Sequence, residues 1–140
     1  MAFTGNFSCN TLRSGLADGS INLTSDTFYL ALYTNNATLD QTTTEYTTTG
    51  EASGGNYAAG GEIVTTTVTS QTTASGSITY VSFSSPSWTG QITARGALIY
   101  KAGANGAICV LDFGNDKTSS NTFTVTMPAN TSTSALIRLV

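Results

Sequence analysis

The feature that most constrains this chain is a series of short β-type runs that begins at residue 26. The clearest run covers 26–33, and its alternating residues are apolar on both faces: Phe28, Leu30 and Leu32 on one, Tyr29, Ala31 and Tyr33 on the other. A strand with two apolar faces has to be covered on both sides. We therefore expect this strand to lie inside a sheet rather than at its edge.

Further runs rich in Thr, Val, Ile and Tyr cover 62–69, 78–84, 94–101, 106–113, 121–127 and 134–139. They recur about every dozen residues, with turn residues between them, which is typical of a β-sandwich. The sequence predicts one all-β domain over 1–140, an antiparallel sandwich of about seven or more strands. The expected core residues are Phe28, Leu30, Leu32, Val81, Phe83, Leu98, Ile108, Val110, Phe123 and Val125.

Local signals predict smaller features around these strands. The linker 103–106 contains two glycines and an asparagine between two β-type runs, and we expect a hairpin turn there. Near the N-terminus, the segment from Ser8 to Leu16 predicts one or two helical turns, with Ser8 or Asn10 as the cap. Gly19 is expected to end this helix, and residues 1–10 to form a short arm.

Residues 34–61 form the longest segment without hydrophobic periodicity, and they consist largely of Thr, Asn and Gly. A connection of this length is usually a functional excursion from the domain. Threonine-rich runs also pair as polar strands, so the segment is either a long loop or an exposed hairpin around Tyr46. The sequence leaves both alternatives open.

Composition excludes several classes of function. The chain has no histidine, five Lys and Arg residues against eight Asp and Glu, and a net charge of −3. A nucleic-acid surface needs clustered basic residues, and the five here are scattered. Histidine is the commonest acid–base group and metal ligand, so its absence removes the usual enzyme constellations. We expect no nucleic-acid partner.

The cysteines and the N-terminus bear on the compartment. Cys9 and Cys109 are far apart in sequence and lack zinc-type spacing, so we expect two buried free thiols. No basic segment followed by an apolar one resembles a secretory signal. No stretch approaches the ~20 apolar residues that span a bilayer. The expectation is a protein made in a reducing cytoplasm, with no membrane partner.

Candidate chemical motifs are weak. Asp112-Phe113-Gly114 matches the magnesium-binding tripeptide of protein kinases, but no other kinase motif occurs. The segment 112–121 gathers oxygen ligands without the spacing of an EF-hand, so a plain turn is favoured over a calcium site. No acidic pair is nominated for glycosidase chemistry. We expect no catalytic residue, no metal site, no cofactor and no enzymatic activity.

Aromatic residues allow two interpretations. Trp88 and a set of tyrosines could stack on sugar rings, although core packing is the commoner role. The tyrosines in question are Tyr33, Tyr46, Tyr57, Tyr80 and Tyr100.

Several segments, in this order, resemble a family of small virion proteins of tailed bacteriophages, especially marine and cyanobacterial ones. The segments that carry the resemblance are 26–34, 37–40, 44–48, 56–57, 60–61, 94–100, 110–114, 116–117 and 135–138. The resemblance covers nearly the whole chain. It implies a structural component of the virion, made in the cytoplasm of the host.

Two roles are consistent with this resemblance. The first is a capsid decoration or cement protein, whose partners are the major capsid protein and further copies of itself, as a dimer or trimer. The second is a structural protein of the tail or neck, either a head–tail joining protein or a fibre-associated module, which could bind host glycan. We expect residues 1–10 and 34–61 to make the contacts, and deletion of 1–10 to leave the fold intact. The candidate interface residues are Phe3, Phe7, Tyr46, Tyr57 and Trp88.

Overall fold

A computed structural model describes residues 3–139, and strands dominate them: 42% of these residues are in strands and 7% in a helix. The single helix of this part of the chain, α1, covers Asn10–Asp18. The strands are β1 (Phe7–Ser8), β2 (Phe28–Tyr33), β3 (Glu62–Val64), β4 (Thr66–Thr73), β5 (Gly76–Phe83), β6 (Ser87–Thr89), β7 (Thr93–Lys101), β8 (Ala107–Thr118), β9 (Thr122–Thr124) and β10 (Ile137–Leu139). The predicted all-β, sandwich-like fold with a short N-terminal helix is confirmed.

The strands form three sheets, and every strand pair is antiparallel. The largest sheet has the order β1-β8-β7-β2-β3, a second has the order β10-β5-β4, and β6 pairs with β9. β2 lies between β7 and β3, as its two apolar faces predicted. The hairpin turn predicted at 103–106 joins β7 to β8, with Asn105 at a positive φ of 60°.

The five-stranded sheet separates two hydrophobic cores. On one side, Phe28 meets Phe83 of β5 edge to face, with ring centroids 5.9 Å apart, in the core shared with the two smaller sheets. On the other side, Tyr33 packs with Phe3 and Leu39, which come from the N-terminal segment and from the loop 34–61. All ten residues predicted for the core are buried.

The segment 34–61 is a loop rather than a hairpin. It contains no strand, and its one bridge pairs Tyr33 with Glu51 near its base. Its residues Ala37 and Leu39 are buried in the second core and Ala52 in the first, so the loop packs against both cores. Of the two alternatives that the sequence leaves open, the structure has the long loop, and part of that loop is core.

The N-terminal segment is not a free arm over residues 3–10. Phe3 is fully buried, β1 pairs with β8, and the Cys9 amide donates to the Ile108 carbonyl at 2.9 Å. Residues 1 and 2 lie outside the described part of the chain. Because Phe3 fills the second core, deletion of 1–10 cannot be neutral for the fold, and that expectation is corrected.

The N-cap of helix α1 lies one residue away from either predicted cap, Ser8 or Asn10. Cys9 occupies the N-cap position without a side-chain hydrogen bond, and Asn10 is the first helical residue. Gly19 ends the helix in the left-handed conformation at φ 83°, as predicted.

Both cysteines are free and buried, which confirms the expectation of two buried free thiols. No helix of the described residues is long and apolar enough to cross a membrane.

Strand β8 continues through the segment that was expected to be a turn. It extends to Thr118, where it pairs with Thr93 and the two hydroxyls lie 2.8 Å apart. Gly114 has a φ of 89° within this strand, and Asp112 forms an ion pair with the buried Arg95 of β7. The carboxylate of Asp112 is thus engaged in holding two neighbouring strands together.

Candidate binding site around Glu51

A carboxylate at the base of the loop 34–61 holds three separate points of that loop. The Oε1 atom of Glu51 accepts a hydrogen bond from the Tyr46 hydroxyl at 2.6 Å. Its Oε2 atom accepts from the Tyr57 hydroxyl at 2.6 Å and from the Gly60 amide at 2.8 Å. Hydrogen bonds to a charged acceptor are roughly twice as strong as neutral ones. Glu51 therefore ties the middle of the loop to its C-terminal end.

Strand β2 explains why this network forms where it does. β3 pairs with β2 only as far as Leu30, so the later residues of β2 lack a strand on that side. The Leu32 amide donates instead to the Tyr57 hydroxyl at 2.9 Å, and the Leu32 carbonyl accepts from the Ala52 amide at 2.9 Å. The loop thereby completes the hydrogen bonding of a fully buried strand residue.

Two more tyrosines anchor the loop from the sheet. Tyr33 of β2 donates to the Thr47 carbonyl at 2.7 Å, and Tyr100 of β7 donates to the Gly60 carbonyl at 2.6 Å. At Gly61 the loop passes so close to the sheet that a Cβ atom would lie 1.8 Å from the Leu30 carbonyl oxygen. Only glycine fits there, and its φ of 79° also favours glycine.

The hydroxyls of this cluster remain protonated donors near neutral pH. Burial raises the pKa of Tyr46 and Tyr57, and their hydrogen bonds to Glu51 raise it further. Burial also raises the pKa of Tyr33, and it raises that of Tyr100 to about 12. The four hydroxyls can therefore act as hydrogen-bond donors throughout the physiological range.

An open depression of about 380 Å³ lies beside this network. Three stacked rings contribute to its wall: Tyr100 lies 5.5 Å from Tyr29 and 4.8 Å from Tyr46, centroid to centroid. Glu45 adds an exposed carboxylate at the rim. Aromatic rings beside hydrogen-bonding groups are the elements with which proteins bind small polar ligands.

The structure brings together two of the five residues predicted to form an interface. Tyr46 and Tyr57 are half-buried and meet at Glu51, and Phe7 is half-buried in β1. Phe3 and Trp88 are only 0% and 4% exposed and belong to the two cores. In the folded single chain these two side chains are therefore buried and do not form a surface with Tyr46 and Tyr57.

Trp88 nevertheless contacts one residue of the site, Tyr57, from the first core. Its ring lies 5.4 Å from that of Tyr57, so it supports the tyrosine that links Glu51 to β2. Tyr80, another tyrosine considered for sugar stacking, is buried on β5 with Ile78 and Ala135, away from this cluster. The aromatic residues are therefore divided between core packing and the loop site.

Sequence reasoning missed Glu51 and Tyr29 as members of this site. No periodic pattern marks Glu51, because its partners lie at irregular distances along the loop: Tyr46 is five residues earlier, and Tyr57 and Gly60 are six and nine residues later.

Within residues 3–139 no three His, Cys, Asp or Glu side chains come together to hold a metal ion. Comparisons of the chain with protein-family models, with curated proteins and with solved structures found no match.

Proposed function

We propose that this protein is a structural component of a phage virion, a capsid decoration protein that binds across neighbouring capsid subunits. The observation that carries the proposal is the loop 34–61, which is long, polar on its outside and held in one conformation by Glu51 and four tyrosines. The sequence resemblance supports the virion assignment, and the loop supports a role in binding a large surface.

A fixed loop suits this role because binding costs less when the contacting segment is already ordered. Its outward side chains are short and mainly hydroxyl- or amide-bearing, and they include Asn35, Asn36, Gln41, Thr42, Thr44, Thr48 and Thr49. Such groups make many modest hydrogen bonds, directly or through water. A protein that binds a shell in many copies gains its effect from the number of such contacts.

The number of copies per particle tests this assignment. We expect purified particles to contain the protein in numbers comparable to the capsid lattice positions. We also expect particles that lack it to open at a lower temperature, and purified protein to restore the lost resistance. Absence of the chain from particles, or resistance that does not depend on it, would refute the proposal.

Two matched variants test the loop itself. Thr48→Arg places a bulky charge on the exposed surface of the loop, whereas Asn130→Arg makes the same charge change in the exposed segment between β9 and β10. Both should unfold at the temperature of the wild type. We expect Thr48→Arg to lose particle binding and Asn130→Arg to retain it. Equal binding by both variants would show that the loop is not the contact.

The depression beside Tyr29, Tyr46 and Tyr100 favours a second candidate, a tail or neck protein that binds host glycan. Sugar rings stack on tyrosine, and Glu45 would accept hydrogen bonds from their hydroxyls. In that case particles would carry only a few copies of the chain. Binding of host surface polysaccharide that is lost in Glu45→Gln would support this role over capsid decoration.

A further inference from the structure

Strand β4 forms the outer edge of the three-stranded sheet. Its inner side pairs with β5 without interruption, from Thr66 opposite Phe83 to Thr73 opposite Gly76. Among the described residues its other side pairs with no strand. Alternate amide and carbonyl groups along eight residues are thus directed away from the sheet.

This edge lacks the features by which proteins usually protect exposed strands. Natural edge strands are typically short, or they carry Lys, Pro or a bulge. The other edge strands of the two larger sheets follow this rule, since β1 has two residues and β3 and β10 have three each. β4 is long, contains neither Lys nor Pro, and keeps a regular register with β5.

Charge is also absent from β4 itself and from its neighbour β5. No Asp, Glu, Lys or Arg occurs between Glu62 and Arg95, a span that includes β4 and β5. In a two-fold symmetric pair each residue near the axis lies beside its own symmetry mate, so any charge would be repelled by itself. An edge without charge therefore fits an identical edge better than it fits a strongly charged partner.

The residue types of β4 suit self-pairing as well. The strand reads Thr-Thr-Val-Thr-Ser-Gln-Thr-Thr over 66–73, with Thr69 and Ser70 at its centre. A two-fold axis beside either central residue places mainly Thr and Ser side chains opposite one another. Cross-strand Thr and Ser pairs are favourable by ~0.2–1 kcal/mol each, in addition to the main-chain hydrogen bonds.

We propose that β4 pairs antiparallel with β4 of a second copy of this chain. The dimer then contains one continuous sheet, β10-β5-β4 from one copy followed by β4-β5-β10 from the other. This inference goes beyond the proposed function, because it concerns the isolated chain and does not depend on a virion. Main-chain pairing across a sheet edge is an established mode of protein association.

Two variants of Ser70 test the interface with the full chain in solution. The Ser70 side chain is exposed, so Lys or Glu fits there without disturbing a core. We expect sedimentation to show dimers of the wild type. For Ser70→Lys and Ser70→Glu, we expect the dimer dissociation constant to be higher than that of the wild type by about tenfold or more. An equimolar mixture of the two should form dimers again, because opposite charges then meet at the axis.

Thr122→Lys is the matched control, since Thr122 is exposed on β9 and the charge change is the same. It should dimerise like the wild type. A wild type that is monomeric at every concentration would overturn the proposal, as would dimers of Ser70→Lys as stable as those of Thr122→Lys.

Hydrogen exchange on the wild type provides a measurement that needs no variant. Alternate amides of β4 should exchange more slowly as the protein concentration rises and the dimer forms. If the outer amides exchange equally fast in dilute and concentrated samples, the edge is unpaired and the proposal fails. Protection that appears only on binding to capsid particles would assign the edge to a capsid strand, and would also overturn it.

Discussion

Replacement of Glu51 by alanine should destabilise the protein far more than replacement of a surface carboxylate does. The change removes the acceptor of three hydrogen bonds and leaves the Tyr57 hydroxyl and the Gly60 amide without their partner. An unsatisfied, partly buried polar group costs about 1–3 kcal/mol, so the two together cost about 2–6 kcal/mol. The Tyr46 hydroxyl adds less, because its ring is nearer to solvent and water can replace the carboxylate.

A more conservative change separates charge from shape. Glu51→Gln retains one acceptor oxygen, but its amide nitrogen donates and cannot accept from a tyrosine hydroxyl. At least one of the three hydrogen bonds must therefore be lost or reversed in direction, and the others lose their charge assistance. We expect a loss of about 1–3 kcal/mol. Glu45→Gln, with the same charge change at an exposed position of the same loop, should stay within about 0.5 kcal/mol of the wild type.

Urea unfolding followed by circular dichroism measures these differences. The midpoint should fall in the order Glu45→Gln, Glu51→Gln, Glu51→Ala, with an unchanged dependence on urea concentration if the transition remains two-state. Hydrogen exchange should show faster exchange of the Leu32 amide in Glu51→Ala, because Tyr57 accepts from that amide. Wild-type stability in Glu51→Ala, or equal losses in the two glutamine variants, would refute the role assigned to Glu51.

Three further expectations follow from buried groups. Phe3→Ala should cost about 3–5 kcal/mol in urea unfolding and Phe7→Ala clearly less, since Phe3 is fully buried and Phe7 half-buried; equal losses would contradict this. The pKa of Tyr100 rises from 10.0 to about 12, so the folded chain keeps a proton that the unfolded chain releases, and stability should fall as pH rises between those values. Tyrosinate absorbance measures this ionisation, and ionisation of Tyr100 at a pH near 10.0 would contradict the expectation. Burial raises the pKa of Cys9 to about 11 and also raises that of Cys109, so neither thiol should react with a thiol reagent at neutral pH before unfolding.

Much of the strand framework could be predicted because the signal for it is local. The alternating residues of 26–33 separate cleanly into two cores, with Phe28 facing one and Tyr33 the other. The extension of β8 to Thr118 could not be predicted in this way. Its polar residues resemble a turn, and they form a strand because β7 offers partners as far as Thr93. Tertiary pairing here outweighs local preference.

The loop site was harder to foresee because its residues act singly. Leu39 is almost completely buried, yet one leucine among Thr and Asn residues produces no period from which burial could be inferred. Glu51 likewise acquires its partners only after the loop has closed over the sheet. Tyr46 and Tyr57 were identified as candidates because they are large aromatic residues in a polar segment, although the carboxylate that joins them was not.

The two proposed contacts lie on different parts of the fold, and this arrangement has a consequence for how the protein would act. Part of the loop 34–61 covers the second core, its residues 52–57 reach the first core beside β6, and no hydrogen bond of the described residues joins the loop to β4. Pairing through β4 therefore leaves the loop free, and a dimer presents two loops related by a two-fold axis. Once one loop is bound, the second binds at a high effective concentration, so a weak contact by each loop is sufficient for firm attachment. Bridging of neighbouring capsid subunits would then arise from the symmetry of the dimer, without a second capsid-binding site on each chain.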